Sequence, residues 1–282
     1  MILVSGASGT IGRELVAELA RRGAKVRAMS RNPGPVSFPS GVETMAADLG
    51  DPATLDAALL GVERVFVLAS GPDRLARERN LVAAAKRAGA ARLVKLSALT
   101  VEDDTAGDII TGWHRAAEHE VTGSGVSWTI LRPGAFMSNA LVWAGMIRHQ
   151  GRVFAPFAHV RTAAVDPADV AGCAAAALLD DGHHGQVYSL TGPELISSAD
   201  QVRLLGEVLG REISLTEIPP EAARQRMVEA GAPAQIADAV LATAAACGAG
   251  PGALVTPAVA QLTGHPPRPF RDWASRHAAA FQ

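Results

Sequence analysis

Near the amino end, Gly6-Ala7-Ser8-Gly9-Thr10-Ile11-Gly12 follows an apolar run, Met1 to Ser5, and leads into apolar residues at helical spacing, Ile11, Leu15, Val16 and Leu19. A glycine-rich turn between a strand and a helix is suited to cradle phosphates. Gly6 permits the sharp turn, Gly9 lets the backbone approach a pyrophosphate, and Gly12 lets the helix pack closely on the sheet. The helix start adds free N–H groups and a partial positive charge. Ser8, Thr10 and Ile11 lie in the same loop and join the glycines as candidate contacts. The ligand expected from this arrangement is a dinucleotide.

The second apolar run indicates which one. An NAD site places an acidic side chain about 20 residues beyond the glycines to accept from the ribose diol. Here no Asp or Glu occurs between Glu18 and Glu43, and the run leads instead into Ser30-Arg31-Asn32-Pro33. Arg31 would meet a 2′-phosphate with the two-pronged geometry of a guanidinium. NADP(H) is therefore expected in preference to NAD(H). Arg27 is a second candidate for that contact, and Arg31 also reads as an ordinary solvated arginine.

Asp48 and Leu49 follow the third run, where Asp48 either accepts from the adenine amino group or serves the next helix. Ala69, Ser70 and Gly71, after the fourth run, have the small side chains that ribose and phosphates require. Ser97, after the fifth, lies at the same edge near the expected nicotinamide.

The elements that must carry these residues alternate. Strands are expected at Met1 to Ser5, Lys25 to Met29, Val42 to Ala46, Arg64 to Ala69, Arg92 to Leu96, Ser127 to Leu131 and Gln186 to Leu190. Val65-Phe66-Val67-Leu68-Ala69 is apolar throughout, as a strand buried on both faces should be. Helices are expected from Ile11 to Gly23, from the cap Asp51-Pro52 to Gly61, and over Arg74 to Arg87. This order implies an α/β fold, a Rossmann-like doubly wound parallel sheet, with a smaller, mostly helical C-terminal substrate region. Residues 1–155 are assigned to the dinucleotide-binding domain, to whose sheet the helix and strand within 165–192 return, and residues 156–282 to the smaller region. There prolines punctuate Ala-rich stretches such as Ala237 to Ala249, where Ile236, Val240 and Leu241 supply an apolar stripe.

The 282 residues carry 48% hydrophobic and 19% charged side chains with a formal net charge of -2. That balance supports a sizeable core and gives no cationic footprint for nucleic acid. Cys173 and Cys247 have no neighbouring ligand residues, so neither a disulfide framework nor a metal site is expected. His183-His184 reads as loop, as does Glu102-Asp103-Asp104. The most apolar stretch, Ala163 to Leu179, is broken by Asp166, Pro167 and Asp169 and reads as a buried helix, not a membrane span. With no basic segment before Met1-Ile2-Leu3, a cytoplasmic location is expected.

Together these residues resemble the short-chain dehydrogenase/reductase superfamily, with its GxxGxxG loop, and more specifically its atypical branch of NmrA-like proteins and type 2 NAD(P)H:quinone oxidoreductases. The resemblance rests on Gly6 to Gly12, Ser30 to Pro33, Leu93 to Ser97, Trp113 to Glu118, Trp128 to Asn139, Asp166 to Ala171, Gly185 to Glu194 and Pro269 to Trp273. It implies backbone and an aromatic ring near the nicotinamide from Pro133, Gly134, Ala135 and Phe136.

One departure bears on mechanism. Members acting on ordinary carbonyls use Tyr-x-x-x-Lys, whose Lys lowers the Tyr pKa. This chain has Ile110 and His114 at those places, and its one tyrosine, Tyr188, falls in a late strand. A quinone or similar conjugated aromatic acceptor delocalises the charge that arrives with hydride and can collect its proton later. His114 is the candidate catalytic residue, contacting ribose or acceptor oxygen, or else it merely orients backbone or packs on Trp113. Phe136, Met137, Trp143 and Met146 either line an apolar acceptor pocket or form plain core.

The expected function is an NADPH-dependent oxidoreductase acting on a small aromatic or quinone-like substrate. The alternatives are an NADP(H)-responsive regulator without turnover and a tailoring enzyme for a polycyclic metabolite. No nucleic-acid or membrane partner is expected, and a homodimer is left open.

Overall fold

The structure is a computed structural model and describes all residues except Pro33, Pro35, Pro72 and Ala249. The last residue of the Ser30-to-Pro33 motif and the end of the Ala237-to-Ala249 stretch thus lie outside the described residues. The chain runs β1 (Ile2–Val4), α1 (Thr10–Arg21), β2 (Val26–Ser30), β3 (Glu43–Ala46), α2 (Pro52–Ala58), β4 (Arg64–Val67), α3 (Arg74–Arg87), β5 (Arg92–Leu96), α4 (Ile109–Thr122) and β6 (Ser127–Pro133). It continues through α5 (Ala144–Gln150), β7 (Arg152–Ala155), β8 (Arg161–Thr162), α6 (Pro167–Leu179), β9 (Gln186–Leu190), β10 (Ile196–Ser197) and α7 (Ser198–Leu209). β11 (Ser214–Glu217), α8 (Pro220–Glu229), α9 (Ala234–Ala246), α10 (Ala258–Thr263) and α11 (Phe270–Arg276) complete it.

Seven strands form one sheet in the order β3-β2-β1-β4-β5-β6-β9, every neighbouring pair parallel. All seven expected strands are present, with ends shifted by up to two residues. The doubly wound expectation holds because successive strand side chains alternate between faces. Ile2, Val4, Phe66 and Val94 enter a core with α1 and α6, whereas Leu3, Val65, Val67 and Leu93 enter one with Leu55 of α2 and Leu81 of α3. Helix α6 is apolar nearly all round because it is enclosed, and 11 of its 13 residues are buried. Asp166 accepts from the Ala168 N–H at 2.9 Å and starts it, with Pro167 in the first turn.

A third core, built around Met137, Ile147, Phe270, Trp273 and Phe281, underlies the C-terminal region. Residues 156–282 are mostly helical as expected, but within them β8 pairs antiparallel with β10, and β11 pairs in parallel with β7, which ends at Ala155. Arg268 is tied to the buried Asp169 of α6 through its side chain and, at 2.7 Å, its backbone N–H. Glu102 is not a free loop carboxylate, since it accepts from the Ser189 hydroxyl and faces Arg132 at 3.8 Å. Among the described residues no helix is long and apolar enough to cross a membrane.

Candidate functional site

The strand order reverses at β1, which lies between β2 and β4. Helices leave to opposite faces at such a point, and a crevice opens beyond the carboxyl ends of the strands. Ser5 locks the two inner strands together there. Its Oγ lies 2.8 Å from the Phe66 carbonyl and accepts from the Leu68 N–H at 2.9 Å.

The chain then turns through Gly6 at φ +64°, in the left-handed region where a side chain is disfavoured. The Gly9 N–H returns to the Gly6 carbonyl at 3.0 Å and closes the loop. At Gly12 a methyl group would sit 2.1 Å from the Gly6 carbonyl oxygen and 2.7 Å from Ala7 Cα, so the helix can approach the loop only as glycine. Helix α1 begins at Thr10 with no side-chain cap. Its first N–H groups therefore remain available for an anion.

The crevice has a volume of about 410 Å³ and gathers most of the expected cofactor residues. Gly6, Ser8, Gly9, Thr10 and Ile11 line it from the loop, and Arg31, Asp48 and Leu49 from the ends of β2 and β3. Ala69 and Ser70 line it from the end of β4, and Phe136 from beyond β6. Gly12 stands behind the loop, Gly71 is exposed outside the lining, and Ser97 and Pro133 are buried behind the wall. Ser97 gives its hydroxyl to Glu118, which also holds Arg132 at 2.6 Å.

Arg31 is exposed at the rim, and among the described residues no hydrogen bond ties its side chain down. Arg27, the second candidate for the 2′-phosphate contact, is excluded. It is buried, and its guanidinium is committed to Glu43 at 2.9 Å and to the carbonyls of Ala58 and Leu60. Asp48 lines the crevice, and its Oδ1 accepts from the Gly50 N–H at 2.8 Å in the turn before α2.

Met29, Ser30, Ala47, Leu68, Arg77, Leu96, Ser138 and Asn139, none of them singled out as a cofactor contact, also line the crevice. Arg77 had a cue, being one turn into the helix after β4, where its NH1 reaches the Ser70 carbonyl at 3.0 Å. Of the four residues expected to line an acceptor pocket or fill core, Met137 and Trp143 are core and Met146 packs against it. Only Phe136 faces the crevice. A more open cavity of about 550 Å³ between Val202, Glu207, Arg211 and Leu215 includes none of these residues.

Beneath the β4–β5 edge lies a buried ion pair, Lys95 to Glu78 at 3.1 Å, with both side chains almost fully enclosed. Burial pulls the Lys95 pKa down and Glu78 opposes it. Glu78 also accepts from the Ala69 N–H at 3.0 Å, fixing the small-residue wall of the crevice.

His114 lies outside the crevice lining on α4, buried, with Nε2 3.0 Å from Arg74 NH1. Burial, followed by the charges of Lys95 and Arg74, pushes its pKa down to about 2. The imidazole is therefore neutral near pH 7. Tyr188 bonds His183 Nδ1 at 2.8 Å, in the loop before β9 and away from the crevice. Among the described residues no group of three or more His, Cys, Asp or Glu side chains is placed to hold a metal ion.

A parallel sheet reversing at β1, with an uncapped helix and a glycine loop at the reversal, defines a Rossmann-like dinucleotide-binding protein. The chain belongs to the NAD(P)H-binding family, whose model matches residues 6–181. It is 45% identical, over 100% of its length and 99% of the relative's, to a (4-alkanoyl-5-oxo-2,5-dihydrofuran-3-yl)methyl phosphate reductase of Streptomyces griseus. It is 36% identical to an NAD(P)H azoreductase of Xenophilus azovorans, over 100% and 99% of the two chains. The NADPH complex of the Escherichia coli quinone oxidoreductase QOR2 superposes with a TM-score of 0.81 at 26% identity, covering 98% of this chain and 99% of that one. The chain is thus an NAD(P)H-dependent oxidoreductase of the quinone- and azo-reductase type, and the resemblance to atypical, NmrA-like short-chain reductases holds.

Proposed function

We propose that the protein binds NADPH in preference to NADH and reduces a small acceptor whose reducible bond is conjugated to a carbonyl or an aromatic ring. The observation that carries this reading is the crevice itself. It runs from a guanidinium at one rim, Arg31, to an end formed by Leu96, Phe136, Ser138 and Asn139, with no tyrosine in its lining. The fit to a dinucleotide rests on the loop, where a Cβ at Gly12 would collide with backbone and α1 offers N–H groups uncapped. When bound, NADPH supplies the hydride.

The chain's own residues divide the work. Gly6, Ser8, Gly9, Thr10 and Ile11 hold the pyrophosphate, with Gly12 allowing α1 its approach. Arg31 meets the 2′-phosphate, and Asp48 and Leu49 border the adenine. Ala69, Ser70 and Gly71 leave room for ribose. Ser97 and Pro133 support the nicotinamide end, and Phe136 covers it. The small C-terminal region, assigned from residue 156 onward, closes over the acceptor.

A conjugated acceptor fits a site without a tyrosine because its reduced form spreads negative charge into a carbonyl or ring. The name of the Streptomyces griseus relative supports this, as it describes a ring double bond conjugated to carbonyl groups. Purified protein should oxidise NADPH with members of a panel of quinones, azo dyes and unsaturated lactones. Tight NADPH binding with no acceptor-dependent oxidation across the panel would overturn the reading.

A further inference from the structure

Arg77 lies one turn into α3 and lines the crevice at the end where Asp48, Leu49 and Ser70 also form the wall. Its NH1 donates to the Ser70 carbonyl at 3.0 Å. The N–H groups of a guanidinium lie in its plane, so this bond holds the group by its edge and leaves its faces uncommitted. Two glycines flank it. A Cβ at Gly71, where φ is +91°, would lie 3.4 Å from NH1, and a Cβ at Gly50 would lie 4.0 Å from Nε. One turn further along α3, Asn80 donates to the Leu49 carbonyl at 2.9 Å. Helix α3 is thereby tied to both loops that border this end, after β4 by Arg77 and after β3 by Asn80.

The neighbours of Arg77 decide what it can hold. Its side chain is 20% exposed within the lining, whereas Nε is enclosed without a protein partner and is not offered to the crevice. Asp73 stands 3.7 Å from NH2, and the Asp48 carboxylate sits beside Gly50, so two negative groups already border the guanidinium on the side of the ligand. Glu78, the next residue, turns inward to Lys95. Such surroundings disfavour a further phosphate. They leave the flat face, and an adenine ring needs flat partners. Among the described residues the one aromatic side chain in the lining is Phe136, which follows β6, two strands away from β4. At the adenine end the planar side chains are Arg31, Asp48 and Arg77, and a guanidinium stacks on aromatic faces where a carboxylate does not. Arg31 is assigned to the 2′-phosphate, which leaves Arg77 for the base.

We propose that Arg77 binds the adenine of the cofactor, its guanidinium laid along one face of the ring, and so sets affinity for the adenosine half of NADPH and NADH alike. This rests on the proposed reading that Asp48 and Leu49 border the adenine. Asp48 then meets the base at its edge, Arg77 meets it at a face, and Arg31 alone distinguishes the two dinucleotides.

Calorimetric titration of the full chain with NADPH and with NADH tests the assignment. Arg77→Ala should raise Kd for both by the same factor, about tenfold, because the lost contact is to a base that both carry. Arg77→Lys keeps the charge and a donor for the Ser70 carbonyl but loses the flat face, and it should weaken both dinucleotides nearly as much. Without ligand, each variant should melt within ~2 °C of the wild type. If the alanine variant does not fold, the lysine variant carries the readout. Reduced nicotinamide mononucleotide, which has no adenine, should bind wild type and variants equally in a fluorescence titration.

Unchanged affinity for both dinucleotides in Arg77→Ala, a loss confined to NADPH, or wild-type affinity in Arg77→Lys would overturn the assignment. A matching loss for the mononucleotide would also overturn it, since Arg77 would then only shape the wall. A wild-type chain that binds neither dinucleotide would overturn the cofactor reading itself, and this assignment with it.

Discussion

Gly12→Ala and Gly9→Ala should separate the two tasks of the phosphate loop. The methyl at Gly12 would lie 2.1 Å from the Gly6 oxygen and 2.8 Å from its carbonyl carbon, both backbone atoms that no rotamer change can move. Ordinary contacts between carbons are ~3.5–4.0 Å, so loop and helix must part by about 1 Å. Overpacking of this kind costs about 1–3 kcal/mol. At ~2–4 °C per kcal/mol for a chain approaching this size, Tm should fall by roughly 2–12 °C. The same displacement pulls the α1 N–H groups off the pyrophosphate, and one lost charge-assisted bond of ~1.5–3 kcal/mol raises Kd for NADPH about 10- to 150-fold.

At Gly9 the added methyl meets only the Gly6 oxygen, at 3.3 Å, and the backbone at φ −79° suits any residue. Gly9→Ala should therefore keep Tm within ~2 °C but weaken NADPH, because the methyl projects from a residue that lines the crevice. Scanning calorimetry and NADPH titration on both variants decide the matter. Wild-type NADPH affinity in Gly9→Ala, or unchanged melting in Gly12→Ala, would refute the reasoning.

Arg31→Ala should raise Kd for NADPH about tenfold or more while leaving NADH within about twofold, since only NADPH presents a 2′-phosphate; equal loss would show that the contact lies elsewhere. Lys95→Met strands the buried Glu78 and should cost about 3–5 kcal/mol in denaturant unfolding. Lys95→Met with Glu78→Gln should recover most of that, and no recovery would mean that the pair is not the cause. The His114 pKa falls from 6.5 to about 2 on folding, so below pH 6.5 the unfolded chain takes up a proton that the folded chain refuses. This contribution to stability is present above pH 6.5 and declines as pH falls, by about 2 kcal/mol between pH 6.5 and 5. Unfolding midpoints of wild type and His114→Gln should diverge over that range, and parallel curves would exclude a buried neutral imidazole.

What was legible in the sequence follows from how local each signal is. The inner sheet strands β1, β4 and β5 are short, mainly apolar runs, and Asp51, which accepts from the Ala53 N–H at 3.1 Å, begins α2 where the Asp51-Pro52 pair placed it. The loop from Gly6 to Gly12 carries its geometry in its own spacing. By contrast, β8 and β10 are two residues each and β7 and β11 four, too short to show a period. Their pairing is imposed by tertiary packing. Arg27 and Arg31 differ by four positions and look alike in sequence, yet a single strand separates them in role. Arg27 lies within β2 and turns to Glu43 on the neighbouring strand, while Arg31 lies past its end at the crevice rim.

The environment of His114 was illegible for a related reason. Burial, and then the charges of Lys95 and Arg74, 19 and 40 positions away, keep it neutral, and all three follow from α3 and α4 covering the same face of the sheet. A lysine inside an apolar strand such as Leu93-Val94-Lys95-Leu96 would ordinarily argue against burial, but Glu78 from α3 meets it there. Once that pair is formed, Glu78 Oε1 is shared by Lys95 and the Ala69 N–H, and the helix that carries Glu78 is fixed against the ends of β4 and β5.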